Sequence, residues 1–474
     1  MHGQRPGSLG AESTEDAARI TATPGQIILF ILLFGGASGA SLLSPAVGGA
    51  ILFLLQLGFL AVIGWRFLTL IVSQRPFTPS GVEPMVLPRY SIVVALYDEA
   101  AILPHLIERL ANLDYPTALL DGYLVLEAHD QATIDAASAL TLPDWLQVLI
   151  APPGAPTTKP RALNHALSVA RGELLTVYDA EDDPDPLQLR EAAARFAAED
   201  SALVCLQAPL RIRRRHKQRR ASPFLDRQFS AEYAALFEVT LPAMAQMGLP
   251  FPLGGTSNHF RVAALRALGG WDAWNVTEDA DLGFRIWRRG WRLGMLTRPT
   301  YETPPGHLVH WLPQRTRWLK GYMQTLCVHT RSGSGMGWRG WLALALTLGA
   351  AVASAALHAL SVAWIGIFFL MALLARHLPQ TPWFGLGVLV GGAAVALLAT
   401  TLGARRANTP FAIGDMVAAP FYWSLLSLAF AHAFVRLILE PHRWDKTAHR
   451  PDIACEETAP ILAPLIADAG RAAA

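Results

Sequence analysis

The sequence predicts an α/β domain on a mostly parallel, doubly wound sheet, inserted between two blocks of transmembrane α-helices with about six spans in all. Three observations carry this. The chain of 474 residues is 52% hydrophobic and only 16% charged, too apolar for an ordinary soluble protein. Its apolar residues gather toward the two ends, at 25–73 and 338–440. Between them, short β-branched runs alternate with amphipathic helical stretches, the pattern of a parallel sheet covered on both faces.

Residues 1–24 carry Glu12, Glu15 and Asp16 and lack a basic segment leading into a short apolar core, so they read as a cytoplasmic tail rather than a cleaved signal. The block 25–73 is broken at Ser44-Pro45 and fits two helices, near 26–43 and 47–71. The polar region 74–337 is large enough for a cytoplasmic domain with its own core and interface helices. In 338–440, breaks at 378–382 and 405–410 separate apolar pieces. The first piece, 339–376, is long for one crossing of a hydrocarbon core about 30 Å thick and suits two, which makes four spans here. Residues 441–474 then form a cytoplasmic tail. Arg66, Arg75, Arg376, Arg436, His442, Arg443 and Lys446 at span ends set the central domain in the cytoplasm, whereas Arg405 and Arg406 fall on the far side, against the positive-inside rule.

Strands are expected at 90–96, 123–126, 145–150 and 173–178, with helices after each. Ligands of such sheets sit beyond the carboxyl ends of the strands, and that is where the acidic loops fall. Asp179, Glu181, Asp182, Asp183 and Asp185 crowd the end of the fourth strand, where mutual repulsion is costly without a cation. Hard oxygen ligands suit Mg²⁺ or Mn²⁺ holding phosphates, although taken singly the stretch reads equally as a solvated acidic turn. The chain has no glycine-rich P-loop and no dinucleotide fingerprint, which argues against ATP hydrolysis and hydride transfer.

Residues 275–290, NVTEDADLGFRIWRRG, put Glu278, Asp279 and Asp281 in a first helical turn, with Arg288 and Arg289 in the last and Gly290 as a stop. The helix dipole alone accounts for that arrangement. Asn275-Val-Thr277 matches a glycosylation sequon, which a cytoplasmic location argues against. Gln314-Arg-Thr-Arg317-Trp318 opens an amphipathic segment reaching His329. It reads either as a membrane-interface helix with Trp311, Trp318 and Tyr322 at headgroup level, or as an arginine for pyrophosphate beside an indole face for a sugar ring. Cys205, Cys327 and Cys455 lack metal-ligand spacing, so neither a disulfide nor a zinc site is expected. The basic run 211–220 has no interleaved aromatics and does not predict nucleic-acid binding; beside the helix-like stretch 224–247 it suits anionic lipid headgroups.

In order, Asp179-Ala-Glu181, Thr277-Glu-Asp279 and Gln314-x-x-Arg317-Trp318, flanked by membrane spans, closely resemble the processive, membrane-integrated family 2 glycosyltransferases: cellulose, chitin, hyaluronan and poly-N-acetylglucosamine synthases. Lys159-Pro-Arg161-Ala-Leu-Asn164 resembles a basic segment of that family, Gly254-Gly-Thr256-Ser257-Asn258 its acceptor-side loop, and Gln207-Ala-Pro209 a further element. Two departures stand out. Glu127-Ala-His-Asp130 replaces the paired aspartates many members carry, which leaves open which carboxylate meets base or ribose, and no FxVTxK-like gating segment or appended regulatory domain is recognised.

The resemblance implies a GT-A fold and an inverting transfer from a nucleotide sugar, a UDP-sugar foremost, to a growing polysaccharide moved across a bacterial inner membrane. It gives Asp279 the role of base toward the acceptor hydroxyl, with Glu278 beside it. Asp179 and Glu181 would hold Mg²⁺ or Mn²⁺ against the departing diphosphate, which Arg317, Lys159 and Arg161 would also meet. Tyr97, Glu99, Glu127 and Asp130 fall to the nucleotide, and Gln314, Trp318, Gly254, Thr256 and Ser257 to the acceptor. Ser354, His358, Ser361, Ser424 and His432 would line a channel or simply pack helices. The reading leaves room for a periplasmic or outer-membrane export partner. Two rivals remain: single-sugar transfer to polyprenyl phosphate or another lipid, and a nucleotide-binding transporter or receptor without catalysis.

Overall fold

The computed structural model describes residues 17–75, 84–213, 222–331, 335–375 and 383–443. The chain enters through α1 (Pro24–Leu43) and α2 (Pro45–Val72). Thr23 caps α1 in a capping box with Gln26, and Ser44 both ends α1 and caps α2, with Pro45 in the first turn. One residue therefore reverses the chain. No side chain of α1 is buried, as befits a helix that is apolar all round and faces lipid.

The expected doubly wound domain follows. Its elements are β1 (Tyr90–Leu96), α3 (Leu103–Ala111), β2 (Leu120–Glu127), α4 (Gln131–Ser138), β3 (Leu146–Ala151), α5 (Lys159–Val169), β4 (Leu174–Tyr178), β5 (Asp183–Pro184), α6 (Gln188–Ala198), β6 (Leu203–Gln207) and β7 (Leu210–Ile212). After these come α7 (Pro223–Ala235), α8 (Leu241–Gln246), β8 (Asn258–Arg261), α9 (Val262–Ala267), α10 (Glu278–Arg288), β9 (Arg292–Met295), β10 (Thr300–Glu302) and α11 (Leu308–Arg331). The main sheet has the order β3-β2-β1-β4-β8-β6-β9, and β5-β10-β7 form a small second sheet. Strands β1 to β4 pair in parallel, while β8 runs antiparallel to both its neighbours.

Both faces of the sheet are covered because β1 alternates buried side chains with a period of two. Ile92 and Val94 enter one core with Leu103, Leu124 and Phe196, and Val93 enters the other with Val125, Leu163 and Phe229. The reversal of β8 has a functional consequence. Its leading loop, 254–257, lies at the carboxyl end of β4, where Ser257 N donates to Val177 O at 2.7 Å.

The second membrane block is α12 (Gly337–Leu344), a π turn, α13 (Ala350–Ala375), α14 (Trp383–Arg406) and α15 (Ile413–Leu439). The described residues hold five helices long and apolar enough to cross a membrane, in line with about six spans. The piece expected to cross twice is one continuous helix, Gly337–Leu374, of 38 residues. At 1.5 Å per residue it is roughly 57 Å long. The surplus length docks on the central domain: Gly340 comes so close to the Trp287 indole that a Cβ there would lie 2.6 Å from Nε1, and Trp287 Nε1 donates to Met336 O at 2.9 Å.

Helix α14 runs beside α2 in the same direction, from Phe384 against Phe53 at 5.3 Å to Arg406, which donates to Ser73 O at 2.7 Å and Glu238 O at 2.8 Å. Arg406 thus sits at the central-domain end of the bundle, which corrects the expectation that Arg405 and Arg406 face the far side. With 337–374 folded as one helix, the chain arrives there on the domain side. Helix α15 is tied to the domain at both ends. Arg227 Nε meets Asp415 at 2.8 Å, and beyond the other end Lys320 Nζ donates to Arg443 O at 2.6 Å and Gln324 to Pro441 O at 3.0 Å. Arg376, Lys446, Cys455 and most of the basic run lie outside the described residues.

Candidate active site

The carboxyl ends of β1, β2 and β4, the loop before β8, the first turn of α10 and one face of α11 surround a single cavity of about 1290 Å³. In the loop after β4, Asp182 organises the turn: its Oδ2 accepts from Asp179 N at 2.7 Å and from the Thr256 hydroxyl, while its buried Oδ1 has no partner. Lys159 reaches across to the Asp179 carboxylate and donates to Gly255 O at 2.7 Å. Glu181 accepts from Thr303 Oγ1, and the buried Glu302 comes in from β10.

This cluster is short of positive charge. Burial, then Asp179 and Glu181, push the Asp182 carboxyl up to about 8, and burial, then Asp182, Glu181 and Asp179, lift Glu302 well above the carboxylate range. Burial pulls the Lys159 ammonium down, but Asp179 and Glu278 outweigh it and hold its pKa above the ordinary value. Hard oxygens, repulsion and an orphaned Asp182 oxygen suit a divalent cation. Among the described residues no three His, Cys, Asp or Glu groups converge as a full ligand set; a divalent cation held by these carboxylates would take its remaining ligands from phosphates and water.

On the facing wall, Glu278 and Asp279 open α10 and line the cavity. The loop before them is held by α11, where Gln324 Oε1 accepts from Val276 N at 3.1 Å, and by Asn275 Oδ1, which accepts from Thr277 N at 3.0 Å. Asn275 is fully buried and donates to Thr325 Oγ1 at 3.0 Å, an interior position for the sequon asparagine. Two glycines permit the close approach. A Cβ at Gly321 would lie 2.2 Å from Thr277 Oγ1, and one at Gly255 would lie 3.1 Å from Asp279 Oδ2. Burial raises the Asp279 pKa against the opposing Ala280 amide, Arg317 and Lys159; burial and then Asp279 push Glu278 up to about 7. Asp281 points the other way and pairs at 3.0 Å with the buried His329 on α11. The helix dipole is served, but two of the three acids of this turn face a cavity.

Helix α11 supplies Gln314, Arg317 and Trp318 to the same cavity, and the buried Gln314 Oε1 and Arg317 Nε have no partner. The Arg315 guanidinium stacks on the Trp318 ring at 4.4 Å and is held by Glu232 at 2.9 and 2.7 Å. This fixes the indole plane.

Of the residues singled out from sequence, the cavity brings together Tyr97, Glu99, Glu127, Lys159, Asp179 and Glu181 with Gly254, Thr256, Glu278 and Asp279, besides the three from α11. Three others do not line it. Asp130 accepts from Asp98 N at 2.5 Å and caps α4 through Thr133 N at 3.2 Å, so it shapes the first loop. Arg161 pairs with Glu127 and with Pro152 O. Ser257 is fully buried at a φ of 55° and donates to Thr300 Oγ1 at 2.6 Å. Ser354, His358 and Ser361 line the cavity; Ser424 donates to Pro420 O at 2.9 Å, and His432 meets Thr316 at 3.0 Å. Sequence reasoning missed Glu302, Glu232 and Arg315, which no motif flags, and Arg443, read only for its charge at a span end.

Residues 88–321 match the family model described as "Glycosyltransferase like family 2". A probable glycosyltransferase, YdaM, of Bacillus subtilis is 25% identical over 50% of this chain and 55% of that one. The beta-monoglucosyldiacylglycerol synthase of Trichormus variabilis is 28% identical over 56% of each chain, and the cellulose synthase 1 catalytic subunit of Komagataeibacter xylinus is 25% identical over 57% of this chain and 36% of its own. The match thus spans about half the length of the first of these relatives. Among solved structures, the mannosyltransferase PcManGT of Pyrobaculum calidifontis, in complex with GDP-Man and Mn²⁺, superposes with a TM-score of 0.51 at 20% identity, over 81% of this chain and 99% of its own, a likeness of fold. The domain at residues 88–321 has the GT-A-like fold and matches the family 2 glycosyltransferase model.

Proposed function

We propose that the protein transfers one sugar, with inversion, from a nucleotide sugar to the hydroxyl of a lipid presented from the bilayer. One observation carries the choice of acceptor. The cavity that holds Asp279 continues without a partition into the membrane bundle, where Leu52, Phe59, Ile63, Val388 and Leu389 line it. An apolar slot suits an acyl or prenyl chain and offers a hydrated glycan few partners.

In this reading Asp279 accepts the proton of the acceptor hydroxyl as its oxygen bonds to the anomeric carbon, and the bond from that carbon to the diphosphate breaks. The acceptor sits between Asp279 and the Trp318 indole. Lys159 and Arg317 face the departing nucleoside diphosphate, and the ammonium and guanidinium are in place before charge develops. Asp179 and Glu181 would hold Mg²⁺ or Mn²⁺, which when bound supplies Lewis-acid compensation for the diphosphate charge. The Glu127–Arg161 pair and Tyr97 border the nucleotide. Arg75, Arg406 and Arg443 at the domain end of the helices support a domain on the cytoplasmic face, at a bacterial inner membrane.

A second reading, a growing polysaccharide passed through the membrane, is favoured by the Gln314-x-x-Arg317-Trp318 motif facing the cavity. UDP or GDP release by the purified protein across UDP- and GDP-sugars with Mg²⁺ or Mn²⁺, with product sizing, separates the two. A single-sugar lipid product is expected. Long chains would establish the second reading, and nucleotide-sugar binding without turnover on any donor or acceptor would remove both.

A further inference from the structure

The membrane half of the cavity is lined by α2, α13 and α14, and among the described residues Arg66 is the one charged side chain those three helices contribute to it. Arg66 stands one turn and a half before the end of α2, between the buried Trp65 and Thr69 on the same helix. Glu232 lines the same cavity. That carboxylate is already taken: Arg315 holds both its oxygens, at 2.9 and 2.7 Å, and the Tyr422 hydroxyl donates to it at 2.7 Å. Its hydrogen bonds thus go to Arg315 and Tyr422 rather than to Arg66. An interfacial arginine that served topology alone would extend to water at the membrane edge, whereas Arg66 lines the passage between slot and cleft. A cation in such a passage calls for an anion to complete it.

Small residues bring α14 close to α2 beside the slot: a Cβ on Gly385 would lie 2.6 Å from Gln56 and one on Gly392 3.7 Å from Ile63, while Ala393 and Ala396 line the slot itself. Apolar walls and one cation suit a lipid with an acidic group between its chains and its reactive end.

Building on the lipid-acceptor reading, we infer that this slot binds a phosphate-bearing lipid, with the hydrocarbon chain between α2, α13 and α14 and the phosphate on the Arg66 guanidinium. A guanidinium matches a phosphate with two parallel hydrogen bonds. The site selects acidic over neutral lipid acceptors and holds the acceptor hydroxyl end toward Trp318 and Asp279.

The test reads binding apart from catalysis. Full-length protein in detergent is titrated with phosphatidylglycerol or with diacylglycerol, bound lipid is counted by native mass spectrometry, and UDP affinity is measured in parallel by calorimetry. Wild type is expected to prefer phosphatidylglycerol. Arg66→Gln should weaken that lipid about tenfold, the loss of one charge-assisted phosphate contact, and leave diacylglycerol and UDP unchanged. Arg66→Lys should recover most of the preference. Ala393→Phe, which narrows the slot and touches no charge, should weaken both lipids; it also serves if Arg66→Gln does not yield a folded protein. Equal binding of the two lipids by wild type, an unaltered preference in Arg66→Gln, a fall in UDP affinity in that variant, or full lipid binding by Ala393→Phe would each overturn the assignment. Asp279→Asn should bind phosphatidylglycerol as wild type does. If lipid binds as described and no sugar is ever transferred, the glycosyltransfer reading fails and the lipid site stands.

Discussion

The two halves of the cavity are built from opposite materials. The half beneath the sheet gathers Asp179, Glu181, Glu278, Asp279 and Glu302 around Lys159 and Arg317, and burial lifts several of these carboxyls above their ordinary range. The half between the membrane helices is apolar apart from Arg66, Gln56 and a few hydroxyl and imidazole groups. In the proposed reading, charge is concentrated where bonds change and removed where a chain has only to fit. The contrast teaches that substitutions in the polar half should stop transfer for every acceptor, and those in the apolar half should alter which acceptor is taken.

The strongest way to break that contrast is Asp279→Asn, expected to lower kcat roughly 10²–10⁴-fold with nucleotide affinity kept. Single-turnover kinetics with calorimetry checks it, and loss of nucleotide binding together with activity would move Asp279 to the donor site. Arg317→Ala should follow, with a fall of about 10²–10³ in kcat, as for removal of one preorganised group at a developing charge. If the fall appears only in KM, Arg317 holds the ground state.

The pH profile sharpens the comparison. A base must be unprotonated to work, and burial raises the Asp279 carboxyl, so kcat/KM should fall as pH drops and do so above the ordinary aspartate range. Glu278, pushed up to about 7 by burial and then by the Asp279 charge, takes up its proton before Asp279 does, so Glu278→Gln should leave this acid limb in place. A limb moved downward would show that a Glu278 charge acts on the base. Gly321→Ala is expected to cost about 1–3 kcal/mol of stability by pushing α11 off Thr277, measurable by denaturant or thermal unfolding, because backbone here touches side chain. Smallest should be Arg227→Ala on α7, opposite the start of α15, about 1 kcal/mol or less, since the Arg227 side chain is half-exposed and its partner Asp415 also accepts from Ala412 N at 2.9 Å.

Particular residues mark the limits of what could be read in advance. The strands and the acidic loop after β4 were legible because a buried parallel strand is a short β-branched run and charge at its end stands out against it. Asp130 is expected at the nucleotide, and the structure gives it bonds to Asp98 N and Thr133 N; a carboxylate that caps a helix and one that meets a ligand have the same sequence signature. The stretch 339–376 is long enough for two crossings, yet it folds as one helix whose first turns dock on the central domain through Gly340 against Trp287, a contact no local pattern announces.

By itself the sequence determined the composition-driven division into membrane blocks and a sheet domain, together with the carboxylates and the arginine that suit sugar transfer, because periodicity and charge are local properties of a chain. The tertiary structure decided that Glu302 joins Asp179 and Asp182, that Arg406 returns to the domain side, and that Arg66 lines the neck of an apolar slot while Arg315 holds Glu232. Each depends on contacts between segments far apart in the chain, and no local pattern encodes which distant partner reaches a charge first.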